Sequence, residues 1–373
     1  MQSTYNFKES YEWNYMNGPV FEGEFPKIPL ERRNPVRLLG SELALPLGIP
    51  AGLLLNARWV DLYARLGFDL LTYKTVRTRQ HPSLPPPNCL FVNTKGQITP
   101  ERFSEKLIAA PRPWPIVPGL KPETGNQEPE TASSKQVSIT NSFGMPSQDP
   151  QQWQPDVERA KGFLHRNQLL MVSVVGTFEE KEGVEAFTRD FALCARLATE
   201  AGADIVELNL SCPNSCADEG ALYTDPEMSG RIVQSVKREV GNTPLFLKVG
   251  FYRNPKIMER TVRVTAPFVQ GIVGINTLKM EVINPIGQPA LPGEGRQESG
   301  ICGAGIRNCG LHFVESLNAL KTKEKYDFSI VGVGGVFSPQ DVNAFLERGA
   351  NAVQTCTGAM FDPYLASVCR REI

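Results

Sequence analysis

The sequence lacks a long hydrophobic run. No segment reaches the roughly eighteen consecutive apolar residues that a membrane helix needs. The first eighteen residues, MQSTYNFKESYEWNYMNG, carry charged and polar side chains and have no apolar stretch of the kind found in a secretory leader. The sequence therefore predicts a protein without a membrane span, and we expect a cytoplasmic location.

An excess of charge of either sign is also missing. The chain has 39 Lys and Arg residues against 40 Asp and Glu, and no basic block stands out, which gives a nucleic-acid partner no support. Histidine is scarce, with only three residues. The pair Cys212 and Cys216 has no second Cys pair and no nearby His pair, so we predict no metal site. We expect all eight cysteines to be reduced thiols rather than a disulfide framework.

What the sequence does contain is a series of short apolar segments that alternate with helical patterns. Continuous apolar character, rather than strict alternation, is typical of strands that are covered on both faces in a parallel sheet. Helical periodicity lies between them, for example over 185–201, 227–239 and 311–322. This order predicts an α/β fold, a single (β/α)₈ TIM barrel, although an open doubly wound sheet would give a similar order. The predicted strands are 47–51, 69–74, 169–175, 204–210, 244–249, 271–276, 328–333 and 351–356.

Three segments interrupt this alternation. We interpret residues 1–40 as an N-terminal extension and 41–373 as the barrel. The stretches 95–135 and 281–300 are irregular and rich in Pro, Gly and polar residues, and we predict that they are insertions at the C-terminal face of the barrel. Long loops at that face usually cover the active site.

Polar side chains collect at the predicted C-terminal ends of the strands. They are Lys74-Thr75, Asn209 to Asn214, Lys248, Asn276-Thr277, and the loop from Asn141 that includes Gly144 and Met145. Amides can donate and accept at once, so they suit a ring with alternating N–H and C=O groups, and lysines can stabilise negative charge. Cys212 lies between two of these amides, which favours a functional thiol over a buried structural one.

Glycines follow the last two predicted strands. Strand seven runs into Gly332-Val-Gly-Gly-Val336, and strand eight runs into Thr355-Cys-Thr-Gly358. In barrels, the loops after strands seven and eight present backbone N–H groups to a phosphate. The two loops together predict a phosphate site.

Several of these motifs resemble the dihydroorotate dehydrogenase family. They are VELNLSCPNS at 206–215, NSFGMPS at 141–147, PLFLKVG at 244–250, and the long segment 330–358 that contains GVGGV and TCTG. The resemblance extends from about residue 44 to about residue 364. It implies FMN-dependent oxidation of dihydroorotate to orotate on a barrel fold.

The resemblance also implies a role for each matching residue. Cys212 would be the general base that removes a ring proton while hydride passes to flavin N5, and Cys at this position is similar to the soluble class 1 members. The substrate-binding residues implied are Lys74, Asn141, Gly144, Met145, Asn209, Asn214, Asn276 and Thr277. The cofactor-binding residues implied are Ala51, Gly52, Lys74, Thr75, Asn141, Asn209, Lys248, Gly303, Gly334, Gly335, Thr357 and Gly358.

The electron acceptor and two other functions stay open from the sequence. The resemblance implies a homodimer that uses fumarate, or an iron–sulfur flavoprotein partner that passes electrons to NAD; the proline-rich residues 1–40 disfavour docking to a membrane quinone pool. A related FMN-dependent dihydropyrimidine oxidoreductase is one alternative, although such enzymes tend to carry His where Asn214 stands. A flavin-free phosphate-binding aldolase with Lys248 as a Schiff base is the other.

Overall fold

A computed structural model describes residues 3–27, 36–110, 137–211 and 221–373. The strands are, in chain order, β1 (Val36–Leu38), β2 (Ser41–Leu43), β3 (Leu47–Leu54), β4 (Leu70–Val76), β5 (Cys89–Asn93), β6 (Leu107–Ala110), β7 (Ser138–Asn141), β8 (Leu169–Val174), β9 (Ile205–Asn209), β10 (Leu245–Lys248), β11 (Gly271–Gly274), β12 (Leu278–Ile283), β13 (Glu298–Gly303), β14 (Ser329–Val333) and β15 (Ala352–Gln354). The helices are α1 (Tyr11–Asn17), α2 (Ala57–Arg65), α3 (Pro150–Gly162), α4 (Gly183–Glu200), α5 (Pro226–Val240), α6 (Pro255–Thr265), α7 (Arg307–Glu324), α8 (Pro339–Glu347), α9 (Thr357–Phe361) and α10 (Leu365–Glu372).

Eight parallel strands close into a barrel in the order β3-β4-β8-β9-β10-β11-β14-β15. Each of the eight predicted strand segments overlaps one of them, so the barrel prediction is confirmed and the open sheet is excluded. The helical patterns over 185–201, 227–239 and 311–322 are also present, as α4, α5 and α7. Helix α8 begins after Ser338, whose side chain accepts a hydrogen bond from the backbone N–H of Asp341, as an N-cap should.

The interior of the barrel changes from apolar to polar along the strands. At its floor, Phe246, Met171 and Ile205 pack in one buried cluster with Leu38 and Leu43 of the β1–β2 hairpin. Because side chains alternate along a strand, every second residue points to the same side of the barrel wall. Continuing that alternation places polar residues at the C-terminal end of the interior, namely Lys74 on β4, Glu207 and Asn209 on β9, and Lys248 on β10.

A second, smaller sheet lies beside the barrel and was not predicted. Five strands close in the order β12-β13-β7-β5-β6. The irregularity expected for 281–300 therefore holds only for 284–297, because the flanks belong to β12 and β13, which pair in antiparallel register. In the other predicted insertion, residues 107–110 form β6, and residues 111–135 lie outside the described residues.

The N-terminal segment packs against the barrel. The Thr4 backbone N–H donates to the Met360 carbonyl at 3.0 Å, and the Thr4 hydroxyl lies 2.8 Å from that of Tyr63. The boundary at residue 40 between the N-terminal extension and the barrel stays a prediction. The β1–β2 hairpin extends across this boundary.

Within the described residues, no helix combines the length and apolar character needed to cross a bilayer.

Candidate active site

A cavity of about 460 Å³ lies at the C-terminal end of the barrel, where side chains of the barrel and of the five-stranded sheet meet. This volume is in the range of small-molecule sites. The predicted site residues that the structure describes all line it: Ala51, Gly52, Lys74, Thr75, Asn141, Gly144, Met145, Asn209, Lys248, Asn276, Thr277, Gly303, Gly334, Gly335, Thr357 and Gly358. Cys212 and Asn214 lie outside the described residues. The structure thus brings the described set together, and the role of each member stays a prediction.

Lys74 is a buried cation near the end of β4, with 6% of its surface exposed. Burial, and to a smaller extent the nearby Arg77, lowers the pKa of its ammonium group to about 7. Both causes disfavour the charged form because there is little water and no net negative charge to stabilise it. A bound anion would supply that charge, which makes Lys74 suited to a carboxylate.

A hydrogen-bond network joins the amides of the site. The Asn209 side-chain N–H group donates to the Thr75 hydroxyl at 3.2 Å and contacts the Met145 sulfur at 3.5 Å. The Asn209 amide oxygen accepts from the Ser211 hydroxyl at 3.1 Å, and the same hydroxyl accepts from the Asn276 amide at 2.6 Å. Ser211, which sequence reasoning did not single out, therefore connects the amide at the end of β9 with that of Asn276, which follows β11.

The loop after β7 is held in an unusual backbone conformation. Gly144 and Met145 have positive φ angles of 76° and 50°. Positive φ is uncommon in residues other than glycine, so Met145 requires support from its surroundings. The Arg77 guanidinium supplies it, with a hydrogen bond to the Met145 carbonyl at 3.2 Å. At the start of the loop, the Asn141 amide contacts the Cys302 sulfur at 3.3 Å.

Lys248 and Glu207 are buried near each other in the barrel and influence each other's charge, without a salt bridge or hydrogen bond between them. Burial lowers the pKa of Lys248, and Glu207 opposes that shift. Burial likewise raises the pKa of Glu207, against the effect of Lys248. The Glu207 carboxylate oxygens accept no hydrogen bond from the residues that the structure describes. Sequence reasoning missed Glu207, although an acidic residue inside the apolar segment 204–210 was a visible signal.

The glycine loops after β14 and β15 present buried backbone donors. The N–H groups of Gly334, Gly335, Thr357 and Gly358 donate to no described residue. The two loops are joined by the Thr355 hydroxyl, which donates to the Val336 carbonyl at 2.7 Å. Buried donors without a protein acceptor are rare in folded proteins, so these four fit an anionic group such as a phosphate.

The close packing of these loops explains why glycine is needed at two of the positions. A Cβ atom on residue 358 would lie 2.1 Å from the Val336 carbonyl oxygen, and one on residue 303 would lie 2.3 Å from the Val137 carbonyl oxygen. Both distances are shorter than van der Waals contact allows. The close packing of the protein backbone around these positions therefore requires glycine, whether or not a ligand is bound.

Other residues of the cavity wall could not be identified from the sequence. They come from the N-terminal segment, from the five-stranded sheet and from the segment between β12 and β13, and they include Tyr5, Cys89, Arg296, Ser299 and Cys302. Arg296 stands in a Gly- and Pro-rich stretch that reads as a solvent-exposed loop, yet only 3% of its surface is exposed. No motif signalled that burial.

Comparison with known proteins places this site in a family. The family model for dihydroorotate dehydrogenase matches residues 118–373. A dihydroorotate dehydrogenase of Dictyostelium discoideum is 35% identical over 372 residues, which cover 97% of this chain and 95% of that protein. The catalytic subunit of dihydroorotate dehydrogenase B (NAD⁺) from Methanocaldococcus jannaschii is 28% identical over 66% of this chain and 74% of its own length.

A third relative is dihydroorotate dehydrogenase A (fumarate) of Limosilactobacillus reuteri, which is 28% identical over 54% of this chain and 61% of its own length. The family match covers well over half of the chain and includes every barrel strand from β8 onward. With a closed eight-stranded barrel, a cavity lined by buried lysines and asparagines at its C-terminal end and a relative aligned along nearly its whole length, the chain belongs to the dihydroorotate dehydrogenase family.

Proposed function

We propose that the chain oxidises dihydroorotate to orotate with FMN as cofactor and with Cys212 as the general base. Family membership makes the chain an oxidoreductase that acts on the CH–CH bond of dihydroorotate. The observation that carries the finer proposal is the convergence on one cavity of two buried lysines, three asparagines and the unsatisfied donors of the two glycine loops. These groups match a substrate with a carboxylate and a ring of alternating N–H and C=O groups, next to a phosphate-bearing cofactor.

Substrate binding is assigned to the amide network and Lys74. Asn209 and Asn276, already oriented through Ser211, would bond the polar edges of the ring. The Lys74 ammonium would pair with the carboxylate, because an anion restores the charge that burial disfavours. Asn141, Asn214, Gly144, Met145 and Thr277 are proposed to complete this subsite.

Proton removal is assigned to Cys212. It directly follows Ser211, whose hydroxyl lies between the amides of Asn209 and Asn276. A thiol becomes an effective base when neighbouring cations or hydrogen-bond donors lower its pKa toward neutrality. In the proposed step the Cys212 thiolate takes a proton from the ring carbon, and the hydride leaves the adjacent carbon.

FMN, when bound, would accept that hydride, which no protein side chain can do. The unsatisfied N–H groups of the two glycine loops would hold its phosphate. Lys248 would lie beside the pyrimidine edge of its ring and stabilise negative charge there, and Ala51 and Gly52 would lie along the ring. Thr75 and Gly303 are proposed as further cofactor contacts.

For the electron acceptor, we propose a soluble one. Relatives whose names specify fumarate or NAD⁺ are 28% identical to the chain, and neither name decides between direct use of fumarate and transfer through an iron–sulfur partner. We also propose a homodimer and a cytoplasmic location; the six free cysteines of the described residues support a reducing compartment.

Two measurements test this proposal. Heat release and chromatography of the purified protein should yield FMN at about one equivalent per chain; FAD, or no flavin after reconstitution, would contradict the cofactor assignment. Turnover of dihydroorotate should then be measured with fumarate alone. Steady turnover would assign fumarate, and a single reduction without turnover would favour a protein partner.

A further inference from the structure

Arg296 connects three segments at the mouth of the cavity. It lies between β12 and β13, lines the cavity and has 3% of its surface exposed. Its guanidinium donates to the carbonyl oxygens of Pro85 at 2.8 Å, Pro87 at 3.2 Å, Ser142 at 2.8 Å and Pro292 at 2.6 Å, and to the Ser142 hydroxyl at 3.3 Å. Arg296 therefore joins the segment before β5, the loop after β7 and its own segment.

These five hydrogen bonds occupy the whole guanidinium group. An arginine has five N–H donors and no acceptor. Every contact of Arg296 is to a carbonyl or a hydroxyl, and no carboxylate among the described residues forms an ion pair with it. With all donors engaged, Arg296 has none left for a ligand in the cavity, so its contribution must pass through the segments that it holds.

The segment most affected is the loop that carries proposed substrate contacts. Ser142, which accepts twice from Arg296, directly follows Asn141 and lies three residues before Met145. The Asn88 amide supports the same Ser142 carbonyl at 3.2 Å and also donates to the Leu84 carbonyl at 2.8 Å. Packing here is close, because a Cβ atom on residue 144 would lie 2.9 Å from the Leu84 side chain.

We propose that Arg296 is a positioning residue for substrate binding: by bonding both the carbonyl and the hydroxyl of Ser142, it holds Asn141 and Met145 in the geometry that receives the ring. This inference rests on the proposed function of the cavity. Lysine should not replace Arg296, because an ammonium group offers three donors from one point and cannot bond four carbonyls of three segments at once.

The test uses the FMN-loaded full chain with Arg296→Lys and, as a matched control, Arg58→Lys. Arg58 also bonds two backbone carbonyls, those of Tyr15 and Met16 at 2.8 and 2.6 Å, but does not line the cavity. The readouts are the Kd of orotate, from the change that it causes in flavin absorbance, and KM and kcat for dihydroorotate. In Arg296→Lys we expect Kd and KM to rise about tenfold, as for the loss of one or two buried hydrogen bonds, with a smaller fall in kcat and unchanged FMN content. Arg58→Lys should match the wild type.

Kd and KM within twofold of the wild type in Arg296→Lys would overturn the proposal. Should that variant fail to fold, Asn88→Leu removes the second bond to the Ser142 carbonyl while leaving Arg296 in place. A raised Kd for orotate in Asn88→Leu would support the positioning role, and an unchanged Kd would contradict it. A wild-type protein that binds FMN but not orotate would instead contradict the proposed function.

Discussion

Glu207 and Lys248 lie on adjacent parallel strands, and Glu207 pairs in register with Phe246, two residues before Lys248. Both side chains are buried, and the carboxylate accepts no hydrogen bond of normal geometry from the described residues, although the nearby Ser173 hydroxyl lowers the pKa of Glu207. A buried carboxylate without donors is unfavourable unless a neighbouring charge stabilises it. The effect of Glu207 is to raise the pKa of Lys248, which burial lowers. Glu207 thereby favours the cationic form of a lysine proposed to face the flavin.

Replacing Glu207 by Gln should make the midpoint potential of bound FMN more negative. Glu207 lies deeper in the barrel than Lys248, so its direct effect on the flavin is smaller than its effect through Lys248. Without the carboxylate the pKa of Lys248 is lower still, and less positive charge then remains beside reduced flavin. We expect a shift on the order of 30 mV, which corresponds to about 1.4 kcal/mol for a two-electron couple. Equilibrium titration against reference dyes measures it. Asp156→Asn removes another buried carboxylate, one that bonds Tyr73 outside the cavity, and should leave the potential unchanged.

Orotate binding should weaken as the pH rises through about 7. The pKa of Lys74 is lowered to about 7, first by burial and then by Arg77, so its cationic form predominates only below that pH. Because the cation binds the carboxylate, Kd should be constant below pH 7 and increase by up to about tenfold per pH unit above it. Lys74→Met should bind orotate about 10- to 100-fold more weakly at pH 6 and lose this pH dependence. A control, Lys106→Met, removes a lysine paired with Glu281 at the surface and should keep the wild-type profile.

Cys212→Ala should retain FMN and its yellow colour but reduce the flavin very slowly. General-base catalysis contributes roughly 10²- to 10⁴-fold, so the first-order rate of flavin reduction by dihydroorotate should fall by that factor. Stopped-flow absorbance under anaerobic conditions measures the rate. Cys216→Ala, four residues later, serves as the matched control. Flavin reduction at the wild-type rate in Cys212→Ala would rule out Cys212 as the base.

Gly334→Ala should weaken FMN retention more than it weakens the fold. Gly334 has a φ of 131°, and an added Cβ atom would meet its nearest neighbour at 3.5 Å, which is ordinary contact within the protein. Gly40 has a φ of 80° and open space around the same atom. Both substitutions introduce backbone strain of about 1–2 kcal/mol, but only Gly334 lines the cavity. FMN release during dialysis should increase in Gly334→Ala alone; equal retention in both variants would argue against phosphate binding at this loop.

The barrel was predictable from the sequence because its strands are buried on both faces and read as continuous apolar segments, such as Leu169–Val174. The second sheet was not, because its strands lie in or beside segments rich in Pro and Gly, which read as irregular loops. One signal was available: in β12, buried Leu278, Met280 and Val282 alternate with less buried Lys279 and Glu281, which is typical of a half-buried strand.

For the site, the sequence located the residues at the ends of barrel strands but not those that come from elsewhere. Lys74 and Lys248 were recognisable because burying a lysine inside an apolar strand destabilises the fold. A lysine kept at such a position therefore indicates a function. Arg296 and Tyr5 were not recognisable, since only tertiary packing brings the segment between β12 and β13 and the N-terminal segment to the cavity. Their burial depends on long-range contacts that no local pattern encodes.

An absorbance spectrum of the purified protein, recorded anaerobically before and after addition of dihydroorotate, shows whether this cavity oxidises dihydroorotate with a flavin. We expect a flavin band that bleaches on addition, in proportion to the dihydroorotate consumed. A flavin band that persists would contradict the assignment of dihydroorotate as the substrate of this cavity, and a protein that binds no flavin even after reconstitution with FMN would contradict the cofactor and the proposed chemistry together.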